Sequence, residues 1–274
     1  MFKRILLPLD GSDMAEAVIP YGEELARKMG SELVLFHSCD DSHRKSHGMH
    51  RLYLEKRAEL VRQSLSHEGA AQDFHVTTEH RFGDFIPSLC DYINDNSIDL
   101  IIMVAHGFTS PSMDSIVDDV VRLAKCPTLL VRRDSQSQES SDLIRKLLVP
   151  LDGTPYSQQI LPISRQIAEL LGAEIVLFSA VKPMGEPAEA LEKQKKSLVS
   201  YLEGIANSLE GLKVSIKVAE TSDFAVAIDE AACQQNVDMV TMVTNSRVTE
   251  WAESSIARKL LNKGATSLLV MHRQ

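Results

Sequence analysis

The sequence repeats itself, and that constrains the fold more than any other feature, because whatever one half becomes the other must become too. Ile5-Leu-Leu-Pro-Leu-Asp-Gly-Ser12 returns as Leu147-Leu-Val-Pro-Leu-Asp-Gly-Thr154, and Gly30-Ser-Glu-Leu-Val-Leu-Phe36 returns as Gly172-Ala-Glu-Ile-Val-Leu-Phe178. The same 142 residues separate Asp10 from Asp152 and Gly30 from Gly172. Near the end of each copy, Asp114-Ser-Ile-Val117 matches in position Ser254-Ser-Ile-Ala257, now 140 residues apart. Loops have changed length while the elements between them have not.

Within one copy, apolar runs alternate with helical stripes. Ile5–Leu9 reads as a strand, and Ser12 as the N-cap of a helix whose stripe is Ala17, Ile19, Leu25 and Met29, closed by Gly30. Glu32–Phe36 reads as a second strand, Leu52–Leu65 as a charged amphipathic helix and His75–Glu79 as a third strand. Phe85–Asn94 is a third helix, Leu100–Val104 a fourth strand, Ile116–Ala124 a fourth helix and Thr128–Val131 a fifth strand. The second copy puts strands at Leu147–Leu151, Glu174–Phe178, Val214–Val218, Met239–Val243 and Leu268–Met271. Strands separated by whole helices must pair in parallel, so the expected architecture is α/β, two tandem doubly wound domains with five-stranded parallel sheets. The domains are expected at residues 1–134 and 143–274, each of about 135 residues and able to bury a core of its own. The polar segment 135–142 between them reads as a linker.

Charge and cysteine use exclude several classes. A net charge of −9, with no clustered Lys and Arg, argues against a nucleic-acid partner. The opening apolar run is broken by Pro8 and Asp10, too early for a secretory h-region or a membrane span, so a cytoplasmic protein without a membrane partner is expected. Cys39, Cys90, Cys126 and Cys233 are scattered without a C-x-x-C pair, which suits reduced thiols. Cys126, ahead of Pro127 and an apolar strand, reads as a small buried hydrophobe.

Open parallel sheets bind ligands beyond the carboxyl ends of their strands, where the strand order reverses. The loop after the first strand carries Asp10-Gly-Ser12 in one copy and Asp152-Gly-Thr154 in the other. Such an Asp can accept hydrogen bonds from a base or ribose, and it can equally do no more than turn the chain. A helix N-terminus at Ser115 or Ser255 can receive an anion through its unpaired amides.

These motifs, with the second strand Glu-Leu-Val-Leu-Phe-His and the closing Ser-Ile and Cys-Pro-x-Leu-Leu-Val patterns, resemble the universal stress protein (UspA-like) family. Both copies match, so the chain resembles its tandem form over nearly its whole length. The resemblance implies an adenine nucleotide alpha hydrolase-like fold and a pseudo-dimer of the two domains through their fifth strands, Thr128–Val131 and Ser267–Met271, with a homo-dimer of the whole chain as a further expectation. It implies base-end positions at Asp10 and Ser38 in the first copy and Asp152 and Ala180 in the second. Phosphate-end positions are Gly107, Ser115 and Ile116, and Ser246, Ser255 and Ile256.

ATP-binding members of the family carry Gly-x-x-Gly, nine residues, then Gly-Ser or Gly-Thr. Here Val104-Ala-His-Gly107 is followed by six residues and Asp114-Ser115, and Val243-Thr-Asn-Ser246 by seven and Ser254-Ser255. Side chains stand where backbone was to approach phosphate, and Asp114 adds a repelling charge that Mg²⁺ would have to screen. The ligands left open are an ATP- or AMP-like adenine nucleotide and a small molecule without a γ-phosphate. The function class expected is a non-enzymatic stress-response binding and signalling module serving a client protein. The alternatives are a ligand-free interaction module and an ATP-hydrolysing enzyme.

No catalytic residue is expected. His106 lacks a fixed nucleophile or carboxylate partner. A pyrophosphatase-type loop would need Ser-Gly-Gly-x-Asp-Ser where Leu9-Asp-Gly-Ser-Asp-Met14 stands. The stretch Asp40 to His50 holds His43, His47 and His50, the ligand types of a transition metal. It reads as a polar loop with no counterpart in the second copy, so no metal site is expected there.

Overall fold

A computed structural model describes residues 2–39, 47–67, 74–105, 111–132, 143–183, 185, 187–244 and 255–272, with the backbone alone at 47, 67 and 111–115. The chain divides into two compact units, Met1–Gln136 and Ser137–Gln274, a division that falls inside the segment expected as linker. The residues of that segment lie outside those described.

The first unit runs β1 (Arg4–Pro8), α1 (Asp13–Glu16), α2 (Ile19–Met29), β2 (Glu32–Cys39), α3 (His47–His67), β3 (Val76–Phe82), α4 (Phe85–Asn96), β4 (Leu100–Val104), α5 (Pro111–Leu123) and β5 (Thr128–Val131). Its strands lie in the order β3-β2-β1-β4-β5 and every pair is parallel. Strand β1 therefore sits where the chain stops winding one way and starts winding the other. Ile5, Leu6 and Leu7 are wholly buried, as a central parallel strand covered by helices on both faces must be.

The second unit repeats the plan with β6 (Lys146–Pro150), α6 (Leu161–Leu171), β7 (Glu174–Val181), α7 (Ala188–Ser208), β8 (Val214–Glu220), α8 (Phe224–Gln234), β9 (Met239–Thr244), α9 (Ile256–Lys263) and β10 (Ser267–His272). Its order is β8-β7-β6-β9-β10, again parallel. Small devices recur with the fold. Asp99 accepts from the amides of Lys3 and Arg4 at 2.7 and 3.2 Å, and Asp238 from those of Arg145 and Lys146 at 2.8 Å each, so in both units the central strand is pinned where it begins. Gly30 and Gly172 close α2 and α6 at φ 67° and 68°, left-handed values that a residue with Cβ adopts only under strain.

Three expectations are corrected. The first helix is two: Ser12 caps only α1, through Ala15 N to its Oγ at 3.1 Å, and the chain turns before α2. Pro20 stands at the start of α2, where its missing N–H and fixed φ suit a helix beginning but not a helix interior. The buried face of α2 is accordingly Gly22, Leu25 and Ala26, with Glu24, not the stripe through Ala17 and Met29. The segment expected as loop up to His50 is helical from His47. Helix α5 starts at Pro111 rather than Ile116, again with proline preset for the first helical position.

Candidate functional site

In the second unit a cavity of about 470 Å³ opens beyond the carboxyl ends of β6, β7 and β9, at the strand-order reversal and within the size range of small-molecule sites. Asp152 from the loop after β6, Ala180 from the end of β7, and Ser255 and Ile256 from the start of α9 all line it. Four candidates from three separate stretches of chain thus face one space, backed by Phe178, Phe224 and Ile228. The fifth second-copy candidate, Ser246, lies outside the described residues.

The Asp152 loop is built by local hydrogen bonds. Asp152 Oδ1 accepts from Thr154 N at 2.9 Å and Thr154 Oγ1 at 2.6 Å, while the Asp152 amide donates to Ser157 Oγ at 3.3 Å. Gly153 between them has φ 83°, which the turn requires and a side chain would oppose. Partial burial pushes the Asp152 carboxyl up, but the hydrogen bonds from Thr154 and Ser157 outweigh it and leave the carboxyl below its ordinary range, so at neutral pH it is an anion. Both Thr154 hydrogen bonds of the turn fall on Oδ1.

Ser255 is the N-cap of α9 with φ −61° and ψ 128°, yet its side chain makes no capping hydrogen bond. One turn on, Lys259 Nζ donates to Asp223 Oδ2 at 2.8 Å, and Asp223 Oδ1 accepts the Ala225 amide at 3.0 Å to cap α8. This cation beside the helix start was missed in the sequence, because Lys259 and Asp223 are 36 residues apart and only the fold joins them. Among the described residues lining the cavity, Asp152 is the one charged group.

The first unit differs. Asp10 Oδ1 accepts the Ser12 amide at 2.9 Å, the same turn as in the second unit, and Gly11 has φ 90°. Ser38 is half-buried at the end of β2 and Ile116 half-buried on α5. The expectation that Ser115 opens a helix is overturned: it is the fifth residue of α5, past the first four amides that a helix leaves unpaired. Gly107 and His106 lie outside the described residues, as does His43, and of His47 only the backbone is described. Cys126 is buried and its thiol is pushed up to about 12, chiefly by that burial. At the end of β2 comes together a cluster that the sequence pattern does not announce: His37, Cys39 and His50, whose ligand atoms lie within 4.8 Å of one another.

The fold is a doubly wound α/β plan built in duplicate, with a cavity at the strand-order reversal of the second unit. The profile of the universal stress protein family matches residues 1–132, the first unit, and the second unit repeats that unit's strand order. A universal stress protein of Synechocystis sp. is 29% identical over 139 residues, 48% of this chain and 86% of the relative. Another from Methanocaldococcus jannaschii is 24% identical over 156 residues, 48% of this chain and 96% of the relative. Over the full length, the crystal structure of a universal stress protein from Archaeoglobus fulgidus covers 99% of this chain and 98% of its own, at TM-score 0.70 and 15% identity. The cytoplasmic domain of a prokaryotic cation chloride cotransporter has the same fold at TM-score 0.61 and 10% identity, covering 98% and 95%. Among the described residues, no helix is long and apolar enough to cross a membrane.

Proposed function

We propose that the second unit binds an adenine nucleotide or a related small ligand without turning it over, and that the chain acts as a signalling module whose occupancy a client protein reads. The observation that carries this reading is the convergence of Asp152, Ala180, Ser255 and Ile256 on one cavity at the strand-order reversal. In this reading the Asp152 carboxylate accepts from a base or ribose hydroxyl. The amides at the start of α9 offer an anion site to phosphate, and neutral Ser254 and Ser255 stand where the first copy has Asp114 and Ser115.

The same geometry supports a ligand held without chemistry. Phosphoryl transfer is catalysed almost entirely by positioned cations and a residue that orients the nucleophile. The described lining contributes an anion and no cation, and Lys259 is committed to Asp223. In the first unit the placement of Ser115 inside α5 favours a unit without a phosphate-bearing ligand, with Mg²⁺ needed to screen Asp114 were one to enter.

The test is mass spectrometry of the supernatant from heat-denatured purified protein, followed by calorimetric titration with ATP, ADP and AMP. A nucleotide bound by the wild type and lost in Asp152→Ala is the expected result. Tight binding that is indifferent to Asp152→Ala would remove the cavity from the reading. Steady-state hydrolysis above about one turnover per second that disappears in Asp152→Ala would make the protein an enzyme.

A further inference from the structure

We propose that His37, Cys39 and His50 of the first unit form a site for a divalent transition-metal ion of the zinc type. The residues come together by elementary geometry. His37 and Cys39 are two apart on β2 and so share a face of the sheet. His80 on β3 is the register partner of His37, and the first turn of α3 brings His50 over both. The His37 ring stacks on His50 at 4.7 Å and on His80 at 5.5 Å.

His37 identifies the cluster as a ligand set rather than chance packing. It is 6% exposed, and its Nδ1 lies 2.6 Å from Leu9 O. A carbonyl oxygen only accepts, so Nδ1 carries the proton and Nε2 presents a lone pair. That Nε2 is buried without a hydrogen-bond partner among the described residues, a costly arrangement in a structure where buried polar atoms are normally satisfied. A backbone carbonyl fixing the tautomer of an imidazole whose other nitrogen is bare is the usual outer support of a metal-bound histidine.

Ligand chemistry selects the ion. Two imidazoles and a thiol suit zinc and its neighbours, whereas magnesium and calcium require oxygens. With Zn–N of about 2.0 Å and Zn–S of about 2.3 Å, the ligand atoms of two imidazoles and one thiolate lie about 3.3–3.5 Å apart around a tetrahedral ion. The present spread of up to 4.8 Å closes by about 1 Å through small side-chain rotations. His80 Nε2 lies 3.5 Å from Cys39 Sγ and, as a donor, steadies the thiolate that metal binding creates.

The repeat supplies an internal control. At the second-copy positions of His37 and Cys39 stand Ser179 and Val181, 142 residues on, and the register partner of Ser179 on β8 is Val218. The fold is thus built without any of these ligands, and the cluster is an addition made in one copy alone.

The test uses the full chain stripped with a chelator and titrated with Co²⁺, then Zn²⁺. We expect about one equivalent bound, a thiolate-to-cobalt charge-transfer absorption that zinc abolishes, and a rise in melting temperature with zinc. Cys39→Ser should remove the absorption, and His50→Gln should weaken binding by more than the roughly 10- to 100-fold typical of an outer partner. Both sites are half-buried, and circular dichroism checks that each variant folds. Cys233→Ser, at an exposed thiol, should change nothing. Absence of the charge-transfer band in the wild type, or its survival in Cys39→Ser, would overturn the proposal, whatever the outcome for nucleotide binding.

Discussion

Replacing Ser255 by Asp should make the protein more stable and a worse nucleotide binder at once. Ser255 holds the N-cap position of α9 with extended backbone and no side-chain capping bond, so the helix start lacks a partner that Asp readily supplies. A carboxylate there accepts an amide of the first turn and faces the positive end of the helix, a gain of about 0.5–1 kcal/mol. The same charge would stand about 5 Å from a phosphate seated on those amides, a repulsion of about 3 kcal/mol at an effective dielectric near 20. Ser255 is half-exposed, so water and salt reduce this to about 1–2 kcal/mol, or roughly 5- to 30-fold in affinity. Urea denaturation without ligand measures the first effect and calorimetry with ADP at two salt concentrations the second. Increased stability with undiminished affinity would show that no phosphate sits at α9. A structural account alone predicts the first effect and gives no reason for the second.

Other perturbations test the frame around the cavity. Phe178→Ala, at a residue 1% exposed that backs the cavity, should cost about 3–5 kcal/mol in urea melts, and a loss below about 1 kcal/mol would mean that the ring is not packed as described. Gly264→Ala should destabilise by about 1–3 kcal/mol, since the added Cβ would stand 2.7 Å from Leu260 O and 3.3 Å from Asp229 Oδ1 on α8; an unchanged melting temperature would contradict that close approach. The hydrogen bond from Lys259 holds Asp223 below the usual carboxylate range, against a weaker opposing push from burial. A depressed folded value stabilises above the unfolded pKa of about 4 and is lost as the pH falls through the folded value. Asp223→Asn should therefore differ from wild type by up to about 1 kcal/mol near neutrality and converge with it in acid, and a gap that stays constant with pH would remove the ion pair from the account.

Strands were legible because each is a short apolar run bounded by punctuation: Leu100–Val104 and Thr128–Val131 are found where the pattern puts them. Helix starts were less legible, because the signal there is a single residue and two kinds compete. Ser12 and Ser115 both look like caps, but Pro20 and Pro111 set where α2 and α5 begin, and proline's fixed φ decides the matter more firmly than a hydroxyl can. In the second unit α9 starts after Ser255 as the sequence implied. Asp152 and Ser255 were reachable from where open parallel sheets bind their ligands, but Ala180 and Ile256 only by resemblance to a family, since nothing in the local pattern around them marks a ligand wall. The His37 cluster was illegible for a different reason: the His-rich stretch supplies only His50, whereas the other three groups come from β2 and β3, at ordinary strand positions that only register pairing brings side by side.

The two copies therefore say more by their differences than by their likeness. Positions that both keep, such as the Asp-Gly turn, the pinning Asp99 and Asp238, and the closing Gly30 and Gly172, are those the fold needs to enter and leave its central strand and first long helix. At Ser255 the second copy keeps a neutral helix start facing a cavity, and the first copy places Asp114 and Ser115 within helix instead. At His37 and Cys39 the first copy carries ligand chemistry where the second has Ser179 and Val181. Duplication followed by this exchange of losses and gains predicts two independent ligands: Asp152→Ala should abolish nucleotide binding and leave the cobalt spectrum intact, while Cys39→Ser should do the reverse. A single substitution that removed both would mean one shared site, and the division of labour between the copies would fall.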